Sequence, residues 1–345
     1  MPPAEGMQPV PREFAQALRE LGLAGLAGQE PLQGMPLPGG VSSDIWRIDT
    51  AHGPVCAKRA LARLRVAADW RAPIERNRYE ARWMQAADEA MPGSAPKVLG
   101  QHPALGVLAM EFLSPVDHVL WKQSLKDGQV DLATAGTVGR TVGRIHAHSA
   151  ARPGLASQFD TDAIFFDIRL EPYLLATARR HPDAAPMLER LVAQTQSNPR
   201  ALVHGDVSPK NILVGPRGPV LLDAECAWWG DPAFDLAFCL NHLLLKCLWT
   251  PASTAAFLAA FDTLGAAYLR EVTWEPRDAV ERRAAALLPG LFLARVDGKS
   301  PVEYVTREAD RDRVRRVALP LLHRPVERIA AVAAAWRAEL EGPRA

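Results

Sequence analysis

The chain has 345 residues, of which 48% are hydrophobic and 23% charged, and its formal net charge is +1 at pH 7. This length is enough for about two domains with their own cores, and the composition excludes an intrinsically disordered chain. The near-zero net charge gives no electrostatic reason to expect a nucleic acid or a membrane surface as a partner.

The sequence has no feature typical of export or of a membrane anchor. The longest apolar stretch, Ala284 to Ala294, is too short to span a bilayer and contains Pro289 and Gly290. The N-terminal sequence has acids and prolines where a signal peptide has basic and then apolar residues. The four cysteines include no C-x-x-C pair. We therefore expect reduced thiols, no zinc site and a cytoplasmic protein.

The first 112 residues predict a small antiparallel sheet with few helices. Alternating apolar residues between turns predict strands at residues 44–49, 54–58, 98–99 and 106–112. Helical spacing of apolar residues predicts helices at residues 14–21 and 73–90.

After Ser114-Pro115 the pattern becomes mostly helical. Helices are predicted at residues 132–149, 164–180 and 184–196, a β-rich segment at 201–223, and further helices from residue 234 onward. The sequence thus predicts an α+β fold with a small sheet lobe, a hinge near 113–117 and a larger helical lobe. The expected domains are an N-terminal helical extension (1–30), an N-lobe (31–113) and a C-lobe (114–345).

Candidate chemistry is concentrated between residues 201 and 235. A short apolar strand leads Asp206 into a loop, and Asn211 begins a second strand. A turn then returns the chain in a third strand that ends at Asp223, two residues before Glu225. This hairpin would place Asp206, Asn211 and Asp223 at one end. Carboxylate and amide oxygens suit Mg²⁺ that bridges phosphates, and a carboxylate free of the metal could accept a hydroxyl proton.

The motif H-G-D-x₄-N at 204–211, followed by Asp223, resembles the H-R-D-x₄-N and metal-binding Asp of kinases. With D-A-E at 223–225 and F-D-L-A at 234–237, it is similar to the aminoglycoside phosphotransferase and choline kinase family, which shares the protein-kinase fold. The D-x-E pattern is also similar to methylthioribose kinase. The resemblance is strong over about 130–240, extends to about 37–112, and is weak beyond 250, where acceptor specificity would lie.

This resemblance implies a kinase that uses ATP and Mg²⁺ to phosphorylate a hydroxyl group of a small molecule. Asp206 would be the catalytic residue that orients and deprotonates the acceptor. Asn211, Asp223 and Glu225 would hold Mg²⁺. The N-lobe would bind the nucleotide, and the C-lobe would carry the catalytic residues and the acceptor site.

Lys58, at the end of a short apolar strand, would then grip the α- and β-phosphates. Glu80 shares a face of the predicted helix with apolar residues, and a carboxylate in that position needs a cationic partner. Lys58 is the natural partner for Glu80, as the resemblance also implies, with Glu75 as the fallback.

Two further segments complete the nucleotide site that the resemblance implies. The turn that contains Gly39, Gly40 and Ser42 lies where the phosphate-covering loop would be, and its glycines permit close backbone approach to phosphate. The segment M-E-F-L, with Glu111 and Leu113, looks like the hinge that holds adenine through backbone groups. A plain hairpin turn and an ordinary edge strand are the alternative interpretations.

The departures from protein kinases favour a small-molecule acceptor. Gly205 replaces the Arg of H-R-D, D-A-E replaces D-F-G, and no A-P-E segment follows. A catalytically silent nucleotide-binding module, a metal-dependent hydrolase that uses His204, Asp206 and Asp223, and a protein kinase remain as alternatives.

The acceptor itself stays open. From Glu225 onward, acids and Lys plus Arg are equal in number, 16 each, which does not favour a polycation. Trp228, Trp229 and Trp249 could form an aromatic cage for a quaternary amine such as choline, although core packing is the default. The loop at 294–301 is a candidate acceptor element, with a surface loop as the alternative.

Several polar residues near the motif have structural interpretations. His204 is expected to organise the loop and His146 to be a core histidine. Asp235 is expected to brace the loop from the next helix. Lys210 could contact the γ-phosphate or be a solvated lysine.

Overall fold

The structure is a computed structural model that describes residues 6–24, 31–38, 43–63 and 73–342. The chain divides into two compact units, Met1–Asp117 and His118–Ala345. The predicted three-part domain division stays a prediction.

Within the described residues, the first unit contains one antiparallel sheet and two helices. Its elements are β1 (Gln8–Pro9), α1 (Arg12–Glu20), β2 (Gln33–Pro36), β3 (Ser43–Thr50), β4 (Gly53–Ala60), α2 (Arg76–Ala90), β5 (Val98–His102) and β6 (Val107–Glu111). The strand order is β1-β2-β3-β4-β6-β5. The predicted β3–β4 hairpin is confirmed, with Thr50 opposite Gly53.

Helix α1 is part of the core of this first unit. Its apolar face buries Phe14 and Leu18 against sheet residues that include Ile48 and Ala57. Removing this much apolar surface from water stabilises the unit by roughly 1.5–3 kcal/mol for each large side chain.

The second unit is mainly helical. Its elements are β7 (Val119–Leu120), α3 (Trp121–Lys126), α4 (Leu132–Ala150), α5 (Asp162–Phe165), α6 (Ala176–Arg180), α7 (Ala185–Gln196), β8 (Ala201–Val203), β9 (Ile212–Gly215), β10 (Gly218–Leu221), β11 (Trp228–Gly230), α8 (Ala233–Trp249), α9 (Thr254–Arg270), α10 (Arg277–Asp297), α11 (Glu308–His323) and α12 (Ile329–Glu341). The β9–β10 hairpin extends through β7, and β8 pairs with β11.

The predicted helix at 164–180 is present, but its central part, Phe166–Leu175, is a π-helix. Pro172 lies inside it and has no N–H to donate to the preceding turn. π-Helical segments are rare in proteins, and those that occur are often found at functional sites. Periodicity does not distinguish it from an α-helix.

The core of the second unit is formed by long helices that pack on one another. Helix α8 is buried along nearly its whole length, against α9 and α10. Among the described residues, one helix, 251–270, is long and apolar enough to cross a membrane, and it packs on α4 and α8 as a core helix does. The four cysteines are free thiols, and three of them are buried.

Candidate active site

The β9–β10 hairpin brings two of the predicted metal ligands, Asn211 and Asp223, to the same end. Ile212 pairs with Leu221, and the N–H of Leu222 donates to the carbonyl of Asn211 at 2.8 Å. Asn211 and Asp223 therefore flank the open end of the hairpin. Asp206, five residues before Asn211, accepts a hydrogen bond at its backbone oxygen from Asn211 Nδ2 at 3.1 Å.

His204 organises the loop that carries Asp206. Its Nδ1 accepts from the N–H of Asp206 at 3.1 Å, and its Nε2 therefore carries the proton and donates to the carbonyl of Leu222 at 3.1 Å. Burial holds the pKa of His204 below its ordinary value, against the pull of the nearby carboxylates. A neutral ring with both nitrogens engaged fixes the loop and transfers no proton.

Asp235, in the first turn of α8, braces the same loop from below. Its two oxygens accept the N–H groups of His204 at 2.7 Å and Gly205 at 2.8 Å. Oδ2 also accepts from Nε2 of His146 at 3.1 Å. His146 is buried and bonded through Nδ1 to Tyr268, so its interpretation as a core histidine is confirmed.

The glycine between His204 and Asp206 is required by the packing. Gly205 has φ +79°, and a Cβ there would lie 2.8 Å from both Cβ and the carbonyl oxygen of Cys226. No L side chain fits this position without moving the backbone. There is therefore no room at position 205 for the Arg that protein kinases have there.

Asp206 is 4% exposed and lies between two cations. Its Oδ2 is 2.9 Å from Nη2 of Arg169 and 3.1 Å from Nζ of Lys210. Burial alone would raise the pKa of this carboxyl, but Lys210 and Arg169 outweigh burial and hold the pKa below its ordinary value. Asp206 is therefore ionised at neutral pH.

Arg169 is the site residue that the sequence analysis missed. Its Nε donates to the carbonyl of Gly205, and its Nη1 donates at 2.6 Å to the carbonyl of Ile168. The π-helix thus supplies an anchor for Arg169, which in turn holds Asp206.

A signal for Arg169 was present in the sequence. Arg169 shares a face of its helix with Phe165 and Pro172 by i−4 and i+3 spacing, and both of these residues are buried. A cation on an apolar face needs an anionic partner, by the argument already applied to Glu80. Nothing in the local sequence, however, identifies the partner as Asp206.

Lys210 is not a freely solvated lysine. The ion pair with Asp206 raises the pKa of Lys210 above its ordinary value. Its side chain is still half exposed, so its ammonium can reach a group beside the carboxylate.

The residues at the open end of the hairpin fit a magnesium ion. Nδ2 of Asn211 is engaged by the backbone, which leaves Oδ1 as the acceptor. Asp223 and Glu225 are partly buried and would add carboxylate oxygens. This hard-oxygen set suits Mg²⁺ that takes its remaining ligands from phosphates and water. Among the described residues, no group of three or more His, Cys, Asp or Glu could hold a metal ion by itself, so Asn211, phosphate or water would have to complete the ligand set.

Asp223 has a strained backbone. Its φ is +66°, and within the described part of the chain it is the only non-glycine residue with positive φ. We expect Asp223→Gly to leave the free energy of unfolding unchanged or to raise it by up to about 1 kcal/mol, because glycine tolerates this conformation. The same variant would lose one of the two carboxylates proposed to hold the metal, so any metal-dependent turnover should fall sharply.

Chemical denaturation and a turnover assay test this separation of stability from activity. Asp223→Asn, which tolerates the same backbone but carries no charge, is the matched control. If Asp223→Gly had the turnover rate of the wild type, Asp223 would not be a residue of the active site.

In the first unit, Lys58 and Glu80 form the predicted pair. Nζ of Lys58 lies 2.9 Å from Oε1 of Glu80, and the two side chains are 4% and 1% exposed. The fallback, Glu75, is exposed at the start of α2. The pairing is confirmed, whereas its role toward a nucleotide stays a prediction.

The other predicted nucleotide contacts are only partly described. Gly39, Gly40 and Ser42 lie outside the described residues. Glu111 ends β6, where its N–H donates to the carbonyl of Lys97 at 2.9 Å. Leu113 is partly buried two residues later. An adenine on this segment would find the N–H of Glu111 already engaged.

Two of the three indoles considered for a cage stack on other aromatic side chains of the protein. Trp228 is buried and stacked on Phe165 at 4.2 Å. Trp249 is stacked on Tyr304 at 4.4 Å, with Nζ of Lys246 4.4 Å from the indole centroid. The cation that Trp249 binds is thus the protein's own lysine.

Comparison with known proteins adds a family to this geometry. Residues 33–280 match the family described as "Phosphotransferase enzyme family" (APH). A methylthioribose kinase from Erwinia tasmaniensis is 28% identical over 235 residues, which cover 59% of this chain and 57% of that protein. The chain thus spans little more than half the length of the curated relatives it matches.

Solved structures share the fold at low sequence identity. A choline/ethanolamine kinase family protein from Mesorhizobium loti superposes with a TM-score of 0.50 at 18% identity, covering 94% of this chain and 99% of that one. A choline kinase from Cryptosporidium parvum Iowa II gives a TM-score of 0.50 at 10% identity, with 95% and 94% coverage. The predicted α+β kinase-like fold is confirmed.

Proposed function

Because this chain belongs to the phosphotransferase enzyme family, we propose that it transfers the γ-phosphate of ATP to a hydroxyl group of a small molecule. One observation carries the proposal. The fold places an ionised Asp206 beside Lys210, at the end of a hairpin that also presents Asn211 and Asp223. An anion for the hydroxyl, a cation for the phosphoryl group and hard ligands for a metal are the parts that phosphoryl transfer needs.

Asp206 acts mainly by orienting the acceptor. A carboxylate with a lowered pKa is a weak base, so it accepts a hydrogen bond from the hydroxyl before it takes the proton. Phosphoryl transfer tolerates this, because the transition state is loose and the nucleophile needs little activation. Arg169 keeps the carboxylate in place, and Lys210 lies where it would meet the transferring group.

Asn211, Asp223 and Glu225 are the residues that would hold Mg²⁺. When bound, the ion neutralises charge on the β- and γ-phosphates. Asp206 is not part of this ligand set, because its Oδ2 is already paired with Arg169 and Lys210.

Lys58 would bind the α- and β-phosphates, with its ammonium oriented by Glu80. We expect Lys58→Met to weaken MgATP binding by about tenfold or more, the value of a charge-assisted hydrogen bond. Since this change leaves Glu80 buried without its cation, the double variant Lys58→Met with Glu80→Gln separates binding from folding. Calorimetric titration with MgATP measures the effect.

Arg59→Met is the control for Lys58→Met. Arg59 is the next residue in β4 and makes a surface pair with Glu13 at 3.4 Å. The control should bind MgATP like the wild type. If the wild type and all these variants bound MgATP with equal affinity, Lys58 would not be part of the nucleotide site.

The function is tested by nucleoside-diphosphate release from MgATP across a panel of hydroxyl compounds. The panel holds aminoglycosides, choline, ethanolamine, methylthioribose, homoserine and simple sugars, with Asp206→Asn as the blank. Acceptor-dependent release that disappears in the blank supports the proposal. Binding of MgATP with no release for any acceptor would instead favour a silent nucleotide-binding module.

A further inference from the structure

One face of helix α8 carries an unusual series of polar and aromatic residues. Phe238, His242, Lys246 and Trp249 follow one another at i+4, i+4 and i+3 spacing, so they share one side of the helix. The same helix braces the catalytic loop in its first turn. This face therefore extends from the candidate active site toward the C-terminal end of the helix.

Lys246 is a buried cation without a carboxylate partner. Its side chain is 1% exposed, and its Nζ lies 4.4 Å from the centroid of Trp249 and 4.9 Å from that of Tyr304. Among the described residues, no acid lies within ion-pair distance of this ammonium. Glu303, the acid whose charge acts on it, is already paired with Lys122 at 2.5 Å.

Arg295, on α10, is a second buried cation with no carboxylate on it in the described structure. Its side chain is 8% exposed, and its Nη1 donates to the hydroxyl of Tyr173 at 3.1 Å and to the carbonyl of Ser300 at 2.5 Å. Its Nε has no partner, and neither has Nε2 of the buried His242. Two cations and two unsatisfied nitrogens in one buried region are costly unless a ligand meets them.

The region is linked directly to Asp206. The guanidinium carbon of Arg169, the partner of Asp206, lies 5.8 Å from the centroids of both Tyr173 and Phe238. The guanidinium carbon of Arg295 lies 5.5 Å from the same Tyr173 ring. His242 packs on Phe238 with ring centroids 5.3 Å apart. Tyr173 therefore contacts both the guanidinium group that holds Asp206 and that of Arg295.

We propose that the acceptor is an anionic hydroxyl compound whose carboxylate or phosphate group binds Lys246 and Arg295 while its hydroxyl lies at Asp206. This inference rests on the proposed function and specifies its substrate class. A quaternary amine does not fit this region, because Arg295 and the charged form of Lys246 repel it and the Trp249 and Tyr304 rings already contact Lys246. The acid whose charge acts on Lys246, Glu303, is already held by Lys122 and is therefore not free to bind a polycation.

The energetics of Lys246 agree with a binding role. Burial, with the charges of Lys122 and Arg295, lowers the pKa of Lys246 to about 7, against the opposing charge of Glu303. Burial also keeps His242 neutral, with its pKa well below the ordinary value. A bound anion would restore the charged form of Lys246. A lysine that destabilises the ligand-free fold in this way is typical of a functional site.

The first experiment measures anion binding without nucleotide. Malonate and inorganic phosphate are titrated into the wild type, Lys246→Met and Lys126→Met, by calorimetry and by the shift in Tm. Lys126 is the matched control, because it is exposed and its Nζ lies 5.9 Å from the same Trp249 ring. We expect binding to weaken by about tenfold or more in Lys246→Met alone.

Folding does not obscure this result, because replacing an unpaired buried cation with Met should raise Tm in the absence of ligand. Arg295→Gln is a second variant, on another helix, and it should weaken the binding of the same anions. Equal anion affinities in the wild type and both variants would overturn the proposal.

The second experiment measures turnover with paired acceptors that differ in charge. The pairs are glucose 6-phosphate with glucose, and 4-hydroxybutyrate with 1,4-butanediol, so that phosphate and carboxylate are tested separately. A preference for the charged member that Lys246→Met abolishes supports the proposal. Turnover with equal preference overturns it and leaves the kinase function standing. Anion binding that depends on Lys246, with no turnover of any acceptor, supports the anion site and contradicts the kinase function.

Discussion

Replacing Asp206 with Asn should lower kcat by on the order of 10²–10⁴-fold while MgATP binding stays unchanged. The amide keeps the shape of the carboxyl and can accept from Arg169, but it can neither take a proton nor attract the acceptor hydroxyl as an anion does. Steady-state kinetics with the acceptor found in the panel, together with calorimetry for MgATP, measures both quantities.

Two controls separate this effect from damage to the loop. Ser208→Ala removes only the long hydrogen bond, 3.4 Å, from the hydroxyl to Oδ1 of Asp206, and it should retain most of the activity. Denaturation of the Asp206→Asn variant shows how much stability is lost with the charge. Full turnover in Asp206→Asn would contradict the assigned role.

The low pKa of Asp206 gives the same residue a pH signature. Its folded pKa lies below the ordinary value of 3.8, so the ion pairs contribute stability that is present above that value and lost as pH falls through the folded pKa. The carboxylate is ionised at every higher pH. An acid limb in the rate profile between pH 5 and 7 would therefore have to come from another group.

Replacing Asp235 with Ala should lower the free energy of unfolding by about 3–5 kcal/mol and abolish activity. Asp235 is fully buried, and its removal leaves the N–H groups of His204 and Gly205 and the ring of His146 without their acceptor. Urea denaturation followed by circular dichroism measures the stability of the variant.

The control for Asp235→Ala is Asp262→Ala, which removes an exposed acid from α9 and should change stability by no more than about 0.5 kcal/mol. Asp235→Asn is a milder test, because one amide oxygen can still accept while its NH₂ faces backbone donors. If Asp235→Ala unfolded at the same urea concentration as the control, the loop would have to be held by other contacts.

The sequence by itself determined the local elements and the candidate catalytic motif. Apolar residues at periods of 2 and 3.6 placed the strands and most helices within a few residues, because side-chain direction along a regular backbone depends only on local geometry. The spacing from Asp206 to Asn211, followed by a hairpin to Asp223, is also local and therefore readable. The Lys58–Glu80 pair was predictable because a buried charge must have a partner and the family resemblance pointed to Lys58 among the nearby cations.

Only the tertiary structure decided which distant residues meet. Arg169 reaches Asp206 from a π-helix 37 positions earlier in the chain, and nothing in either segment encodes that contact. The requirement for glycine at 205 depends on Cys226 packing against it. Lys246 and Arg295 lie on separate helices, and their common lack of a carboxylate appears only once both are packed. Periodicity identifies the face that an element buries, whereas the partner of each buried charge is set by packing between segments far apart in sequence.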